Sequence, residues 1–208
     1  MGSCKLYIVR HGESEHNRDN ITSGHVDPDL TETGKQQALK SKQSLAHIHF
    51  DDVYSSDLQR AAKTAELIYG SPVPIDHQVA GLRERDYGQY DGRPIRHWED
   101  LKEEKQPEHD SLPIHEQWRF KHTPDAESLF EVSERFIGAL ATIAQANPGK
   151  TILVGAHGSV LRTTLISLGY ATSSELPSKS IDNAANVELD YADGSFTVGT
   201  VVGANKMV

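Results

Sequence analysis

The chain has 208 residues, 37% of them hydrophobic, and a formal net charge of −9. That length supports one domain with a sizeable core, and the acidic balance excludes general binding to nucleic acid or to an anionic membrane, so any anion site must be a local cluster of positive charge. Cys4 is the only cysteine, which rules out an intrachain disulfide and a Cys-based zinc site and suits a reducing, cytoplasmic compartment.

The first predicted element is a short buried strand, Leu6-Tyr7-Ile8-Val9, running into Arg10-His11-Gly12-Glu13-Ser14. It delivers a cation and an imidazole at a strand's carboxyl end, where open α/β sheets bind ligands. Gly12 keeps side-chain bulk away, so a backbone group or a phosphate oxygen can approach His11. Ser14 to Asn20 reads as one helical turn or a loop, and Ser23-Gly24-His25-Val26-Asp27-Pro28 as an ordered loop. Thr33 and Gln36 have capping-box spacing for a helix whose buried stripe is Ala38, Leu45 and Ile48. A second strand is predicted over Phe50–Ser55. A helix follows, with Ser56 or Asp57 as N-cap and Leu58, Ala61, Ala65 and Ile68 facing inward. Arg60 then falls in the first turn, where the helix dipole disfavours a cation, which suggests that an anion belongs there.

Pro72-Val73-Pro74-Ile75 reads as an edge strand, because its prolines cannot donate to a central ladder. Leu82 to Gly92 concentrates charged residues around Gly88 and Gly92. Residues 93–126 have poor periodicity and read as an excursion over the site, with a helix near Ile95–Lys105 and Trp98 and Trp118 as packing anchors. Helix returns at Ser128–Gln145 and stops at Asn147-Pro148-Gly149. Thr151-Ile152-Leu153-Val154 has the uniform apolar character of a central parallel strand. It ends in a second His-Gly, His157-Gly158, before a helix over Val160–Leu168. Ala185–Tyr191 and Ser195–Val202 alternate around Asp193-Gly194, a hairpin signal. The fold class expected is three-layer α/β/α with a mostly parallel central sheet, as one domain over 1–208 with an inserted excursion at about 93–126.

Arg10-His11-Gly12-Glu13, Asn17, Ser23-Gly24, Asp27, Ser55-Ser56-Asp57-Leu58-Gln59-Arg60, Leu82-Arg83-Glu84, Tyr87-Gly88, Glu127-Ser128 and His157-Gly158 together resemble the histidine phosphatase (phosphoglycerate mutase-like) superfamily over nearly the whole chain. The resemblance implies that His11 attacks phosphorus and becomes a phosphohistidine. It implies that Arg10, Arg60 and His157 hold the phosphoryl oxygens, with Asn17, Ser23, Gly24 and Gly158 at the substrate. Glu84 would protonate the leaving oxygen and later deprotonate the attacking water. Phosphoryl transfer asks mainly for positioning and charge neutralisation, which two guanidiniums and a protonated imidazole supply without a metal.

His157 is followed by Gly158, not by the Asp donor of the acid phosphatase branch, which leaves Glu84 as the donor. The run Glu84-Arg85-Asp86-Tyr87-Gly88 is similar to that of the bisphosphoglycerate-dependent mutases, but Asp86 stands where they have His, and Asp182-Asn183-Ala184-Ala185 is more phosphatase-like. A phosphatase of a small phosphorylated metabolite is therefore preferred to a mutase, and both to an inactive binding module, since the nucleophile and donor are present. Eleven histidines invite a metal, but there is no His-Glu-x-x-His and no carboxylate at ligand spacing beside His47-Ile48-His49, so neither a metal nor a cofactor is expected. A homodimer through an edge strand is compatible with the pattern.

Overall fold

Alternation in the first strand decides how the layers are filled. In β1 (Cys4–Arg10) Leu6 and Ile8 point to one face of the sheet and Tyr7 and Val9 to the other, and all four are buried. In β3 (Thr151–Ala156) Ile152, Val154 and Ala156 share the face of Leu6 and Ile8, while Leu153 joins Tyr7 and Val9. A strand apolar on both faces must be covered on both, and each such Leu or Ile contributes about 1.5–3 kcal/mol by burial. Helices α6 (Leu129–Ala146) and α7 (Gly158–Ser167) cover the first face through Val132, Phe136, Leu140, Val160, Leu161 and Leu165. Helices α2 (Glu32–Ser44) and α3 (Gln59–Tyr69) cover the second through Ala38, Ala65 and Ile68.

The structure is a computed structural model that describes residues 2–207; Met1 and Val208, the ends of the range read from the sequence, lie outside the described residues. The five strands lie in the order β2-β3-β1-β4-β5. β2 (Asp52–Ser55), β3 and β1 are parallel, but β4 (Ile181–Ala192) runs antiparallel to β1, and β5 (Ser195–Ala204) antiparallel to β4. The sheet is therefore mixed: the parallel character expected of it holds for β2, β3 and β1, and β4 runs against them. A hairpin cannot join parallel strands, and Asp193 (φ 51°) with Gly194 (φ 81°) makes the tight left-handed turn that joins β4 to β5.

Several local expectations are corrected. Phe50 lies outside β2 and packs edge-on against Tyr7. The predicted strand at Pro72–Ile75 is absent. Val73 is buried, Ile75 is exposed, and the chain makes a 3₁₀ turn at Ile75–His77. Thr31, not Thr33, caps α2, accepting from the Gly34 amide at 3.0 Å. The helix of the excursion, α4, runs over Ile95–Asp110, past the predicted Lys105 and through Pro107; a short α5 (Ile114–Gln117) follows. Trp98 is buried between Tyr87, Tyr90 and His122, an anchor as expected. Among the described residues no helix is long and apolar enough to cross a membrane.

The pairing register sets Arg10 beside Ala156, so β1 and β3 end level, and His11 donates its amide to the Ala156 carbonyl at 2.9 Å. From these ends the chain departs to opposite faces, towards α2 after β1 and into α7 after β3. The crevice between them is a topological switch point, where α/β sheets bind ligands.

Candidate active site

His11 follows β1 and is 4% exposed. Its Nδ1 lies 2.7 Å from the Gly12 carbonyl, an acceptor only, so Nδ1 carries the proton and Nε2 keeps the lone pair. Burial, with Arg60 and Arg10 nearby, holds the His11 pKa well below 6.5, so the ring is neutral at neutral pH. The backbone is fixed as tightly. Gly12 donates to Thr64 Oγ1 at 3.1 Å, and Asn183 Nδ2 donates to the His11 carbonyl at 3.2 Å. The backbone that comes close to Gly12 is that of Gly34, on which any Cβ at Gly12 would collide.

His157 stands beside it at the end of β3, the rings 5.2 Å apart and edge to face. It is fully buried, and neither ring nitrogen has a hydrogen-bond partner. Without a bound anion it is not the protonated imidazole that the sequence leads one to expect at a phosphoryl group. Burial, reinforced by Arg60, His11 and Arg10, holds its pKa well below 6.5. The ring is a neutral, unsatisfied group whose protonation a strongly anionic ligand would favour.

Arg60 does lie in the first turn of α3, with its side chain fully buried. The anion at that helix start is in part the protein's own. Asp27 accepts from the Gln59 amide at 2.6 Å and from Arg60 Nη1 at 3.2 Å, so it caps a helix whose N-cap, Leu58, has no side-chain cap; neither Ser56 nor Asp57 takes that place. Arg60 also donates to the carbonyls of Val26 at 2.8 Å and Gly24 at 2.7 Å. That loop is in turn gripped by Asp91, which accepts the amides of Gly24, His25 and Val26 at 2.6–2.8 Å. Nε of Arg60 remains buried without a partner, as does Nε of Arg10. Arg10 donates to the Ile181 carbonyl.

Glu84 comes from the loop before α4 and is 6% exposed. Its carboxylate accepts the amides of Arg85 (2.8 Å), Ser159 (3.0 Å) and Val160 (3.3 Å), so it caps α7, the helix that His157 begins. Arg135 of α6 pins the loop from below by donating to the carbonyls of Gly81, Arg83 and Glu84 while paired to Glu127.

Arg10, His11, Asn17, Ser23, Glu84 and Gly158 line one cavity of about 330 Å³. Asn17 Oδ1 accepts from the Ser14 amide and from Asn183, which leaves its Nδ2 as the donor facing the cavity. Ser23 Oγ is bonded to His16 Nδ1 at 2.7 Å. Arg60, His157 and Gly24 are not on the cavity wall but directly behind it, and Gly24 acts there as a holder of Arg60. At Gly158 a Cβ would press on the Arg10 guanidinium, 3.1 Å from Nε. Among the described residues no group of three or more His, Cys, Asp or Glu could hold a metal ion. Sequence reasoning gave no role to Asp91, Arg135 or Thr64, and Asp27, Tyr87 and Asn183 entered only as parts of a pattern. These residues act by hydrogen bonds between distant parts of the chain.

The cavity thus brings together a neutral histidine with a free lone pair, a carboxylate and Arg10, with Arg60 behind the wall and the Nε of both arginines buried and unpartnered, a set suited to in-line transfer of a phosphoryl group. Comparison with known proteins agrees. An uncharacterized phosphatase, PhoE, of Bacillus subtilis is 30% identical over 92% of this chain and 90% of its own. A 2,3-bisphosphoglycerate-dependent phosphoglycerate mutase of Bartonella bacilliformis is 34% identical over 98% of this chain and 97% of its own. The crystal structure of a phosphoglycerate mutase from Bacillus anthracis superposes with a TM-score of 0.80 at 28% identity, covering 96% of this chain and 93% of that one. The profile of the histidine phosphatase superfamily (branch 1) matches residues 6–202, and the chain belongs to that family.

Proposed function

We propose that the protein is a phosphatase that hydrolyses a small phosphorylated metabolite through a phosphohistidine on His11. The observation that carries this is the state of His11: buried, kept neutral by burial and by the Arg60 and Arg10 charges, and its tautomer set by the Gly12 carbonyl so that Nε2 keeps the lone pair. In the first step Nε2 attacks phosphorus, the bond from phosphorus to the ester oxygen breaks, and Glu84 gives its proton to that oxygen. In the second step Glu84 takes a proton from water as the water attacks the phosphohistidine, which returns His11 and releases inorganic phosphate. Arg10, Arg60 and His157 bind the equatorial oxygens, and the dianion's charge favours the protonated form of His157. Asn17 Nδ2 and Ser23 Oγ add hydrogen bonds, while Gly24 keeps Arg60 in place and Gly158 lets the Arg10 guanidinium lie against the backbone. The chain works as one domain in which residues 93–126 form the wall that selects the substrate.

A mutase is the second reading, favoured by the 34% identity with the Bartonella enzyme over nearly the full length. One assay separates the two: phosphate release from a panel of small phosphomonoesters, in EDTA, with product isomers followed in parallel. Release that survives EDTA is the expected result. Isomerisation of 3-phosphoglycerate with little release would make the protein a mutase.

A further inference from the structure

The loop that grips Arg60 also reaches Glu84. The carbonyls of Gly24 and Val26 both accept from the Arg60 guanidinium. The residue between them, His25, holds a different partner: its Nε2 lies 3.1 Å from the Glu84 carbonyl. A carbonyl only accepts, so Nε2 carries a proton and donates it there. Nδ1 of the same ring lies 3.7 Å from Oδ2 of Asp86. The backbone of His25 is fixed as well, its amide donating to Asp91 at 2.7 Å. The two loops are pressed together at this point, since a Cβ on Gly24 would collide with the Arg85 carbonyl.

His25 does not line the cavity, so any effect it has on the reaction passes through other residues. Among the described residues it makes the only hydrogen bond from loop 23–27 to Glu84. The Glu84 carbonyl has a second donor, Arg135 Nη2 at 3.2 Å, from α6. This double hold on the backbone matters because of what the carboxyl must do. As a carboxylate, Glu84 is fixed by three amides, those of Arg85, Ser159 and Val160. As the acid of the first step it carries a proton, one oxygen becomes a donor, and its hold on those amides loosens. Its place relative to Arg60 then depends on the backbone, and the His25 hydrogen bond spans that interval directly. A misplacement of about 1 Å at a reacting group costs about 10²-fold in rate.

We propose that His25 is a positioning residue: it ties Glu84 to the loop that fixes Arg60, and so sets the acid at the leaving oxygen of a phosphoryl group bound by Arg60. This deepens the phosphatase function proposed above and rests on it for the role of Glu84.

The test compares His25→Ala and His25→Gln, each alone and combined with Glu84→Gln, on the best alkyl phosphate of the panel and on p-nitrophenyl phosphate. His25→Ala is expected to lower kcat on the alkyl phosphate by about 10–10²-fold with KM nearly unchanged. The rate of the nitrophenol burst should hardly move, because that leaving group needs no acid. His25→Gln, whose amide can donate to the same carbonyl, should regain most of the loss. In the Glu84→Gln background His25→Ala should cost little more, because its effect passes through Glu84. An equal loss on both substrates, a loss that persists undiminished beside Glu84→Gln, or no loss at all would overturn the proposal. Failure of the unmutated protein to release phosphate from any phosphomonoester would instead refute the phosphatase function. The tie itself would then be read from the crystal structure of His25→Ala, a displaced Glu84 carboxyl upholding it and an unmoved one overturning it.

Discussion

The ends of β1 and β3 carry the same dipeptide, His-Gly, at the same level of the same sheet, yet the two histidines are built for different work. His11 is held by its own Nδ1, which bonds to the Gly12 carbonyl, and by a backbone with partners on three sides. His157 has no partner at either ring nitrogen, so its ring is positioned by packing alone, although its carbonyl accepts the Leu161 amide at 3.3 Å. A ring that must present one lone pair at one angle needs its tautomer fixed, whereas a ring that binds oxygens needs only its donors free. The glycines differ in the same way. Gly12 faces the backbone of Gly34, which cannot move, and Gly158 faces the end of the flexible Arg10 side chain.

The largest effects should separate the two histidines. His11→Ala is expected to lower kcat by at least about 10³-fold and to abolish phosphoenzyme formation. His157→Ala should cost about 10²-fold and still allow a phosphoenzyme to be trapped at alkaline pH. Equal behaviour of the two variants would erase the distinction. Glu84→Gln is expected to slow hydrolysis of alkyl phosphates by about 10²–10⁴-fold. The first step should be far less affected with p-nitrophenyl phosphate, whose leaving group needs no proton, and a burst of nitrophenol would show it.

The glycine pair gives a smaller effect, on stability. Gly12→Ala should destabilise by about 1–3 kcal/mol, read as a lower urea midpoint. Gly158→Ala should leave the midpoint nearly unchanged and raise KM by displacing Arg10. The pH dependence follows from the depressed pKa of both rings. An unfolded histidine takes up a proton near 6.5, but the folded ones stay neutral well below it. The unfolded state therefore binds more protons in that window. The stability these rings contribute is complete above pH 6.5 and is lost as the pH falls from there towards the folded pKa values. Urea titrations from pH 7.5 to 5 should show falling stability that a His157→Phe variant reduces. The acid limb of kcat/KM should lie well below pH 6.5.

Much of this site was legible because it is written at strand ends. The apolar runs 6–9 and 151–154 and the His-Gly that follows each placed His11 and His157 together without any long-range information, and the oddity of Arg60 in a first helical turn pointed to an anion, which Asp27 supplies in part. The half of the sheet formed by β4 and β5 was legible as a hairpin but not in its direction against β1, because period-two alternation is the same in parallel and antiparallel pairs. Pro72–Ile75 misled because Val73 and Ile75, β-branched and alternating with prolines, satisfy strand propensity while Pro74 removes the donor a ladder needs. The neutrality of His157 without a bound anion was not legible, because burial, which no local sequence feature reports, outweighs the ring's intrinsic basicity. Asp27, Asp91 and Arg135 hold Arg60 and Glu84 through contacts between residues far apart in the chain, and no spacing rule encodes these.

The most direct test of the whole account is rapid quenching of the enzyme with a good phosphomonoester at alkaline pH, followed by peptide mapping of the trapped phosphate. Phosphate on the peptide carrying His11, formed and lost at rates that match turnover, is the result this account predicts. Phosphate found on His157, or turnover that continues in His11→Ala with no phosphoenzyme at all, would contradict it.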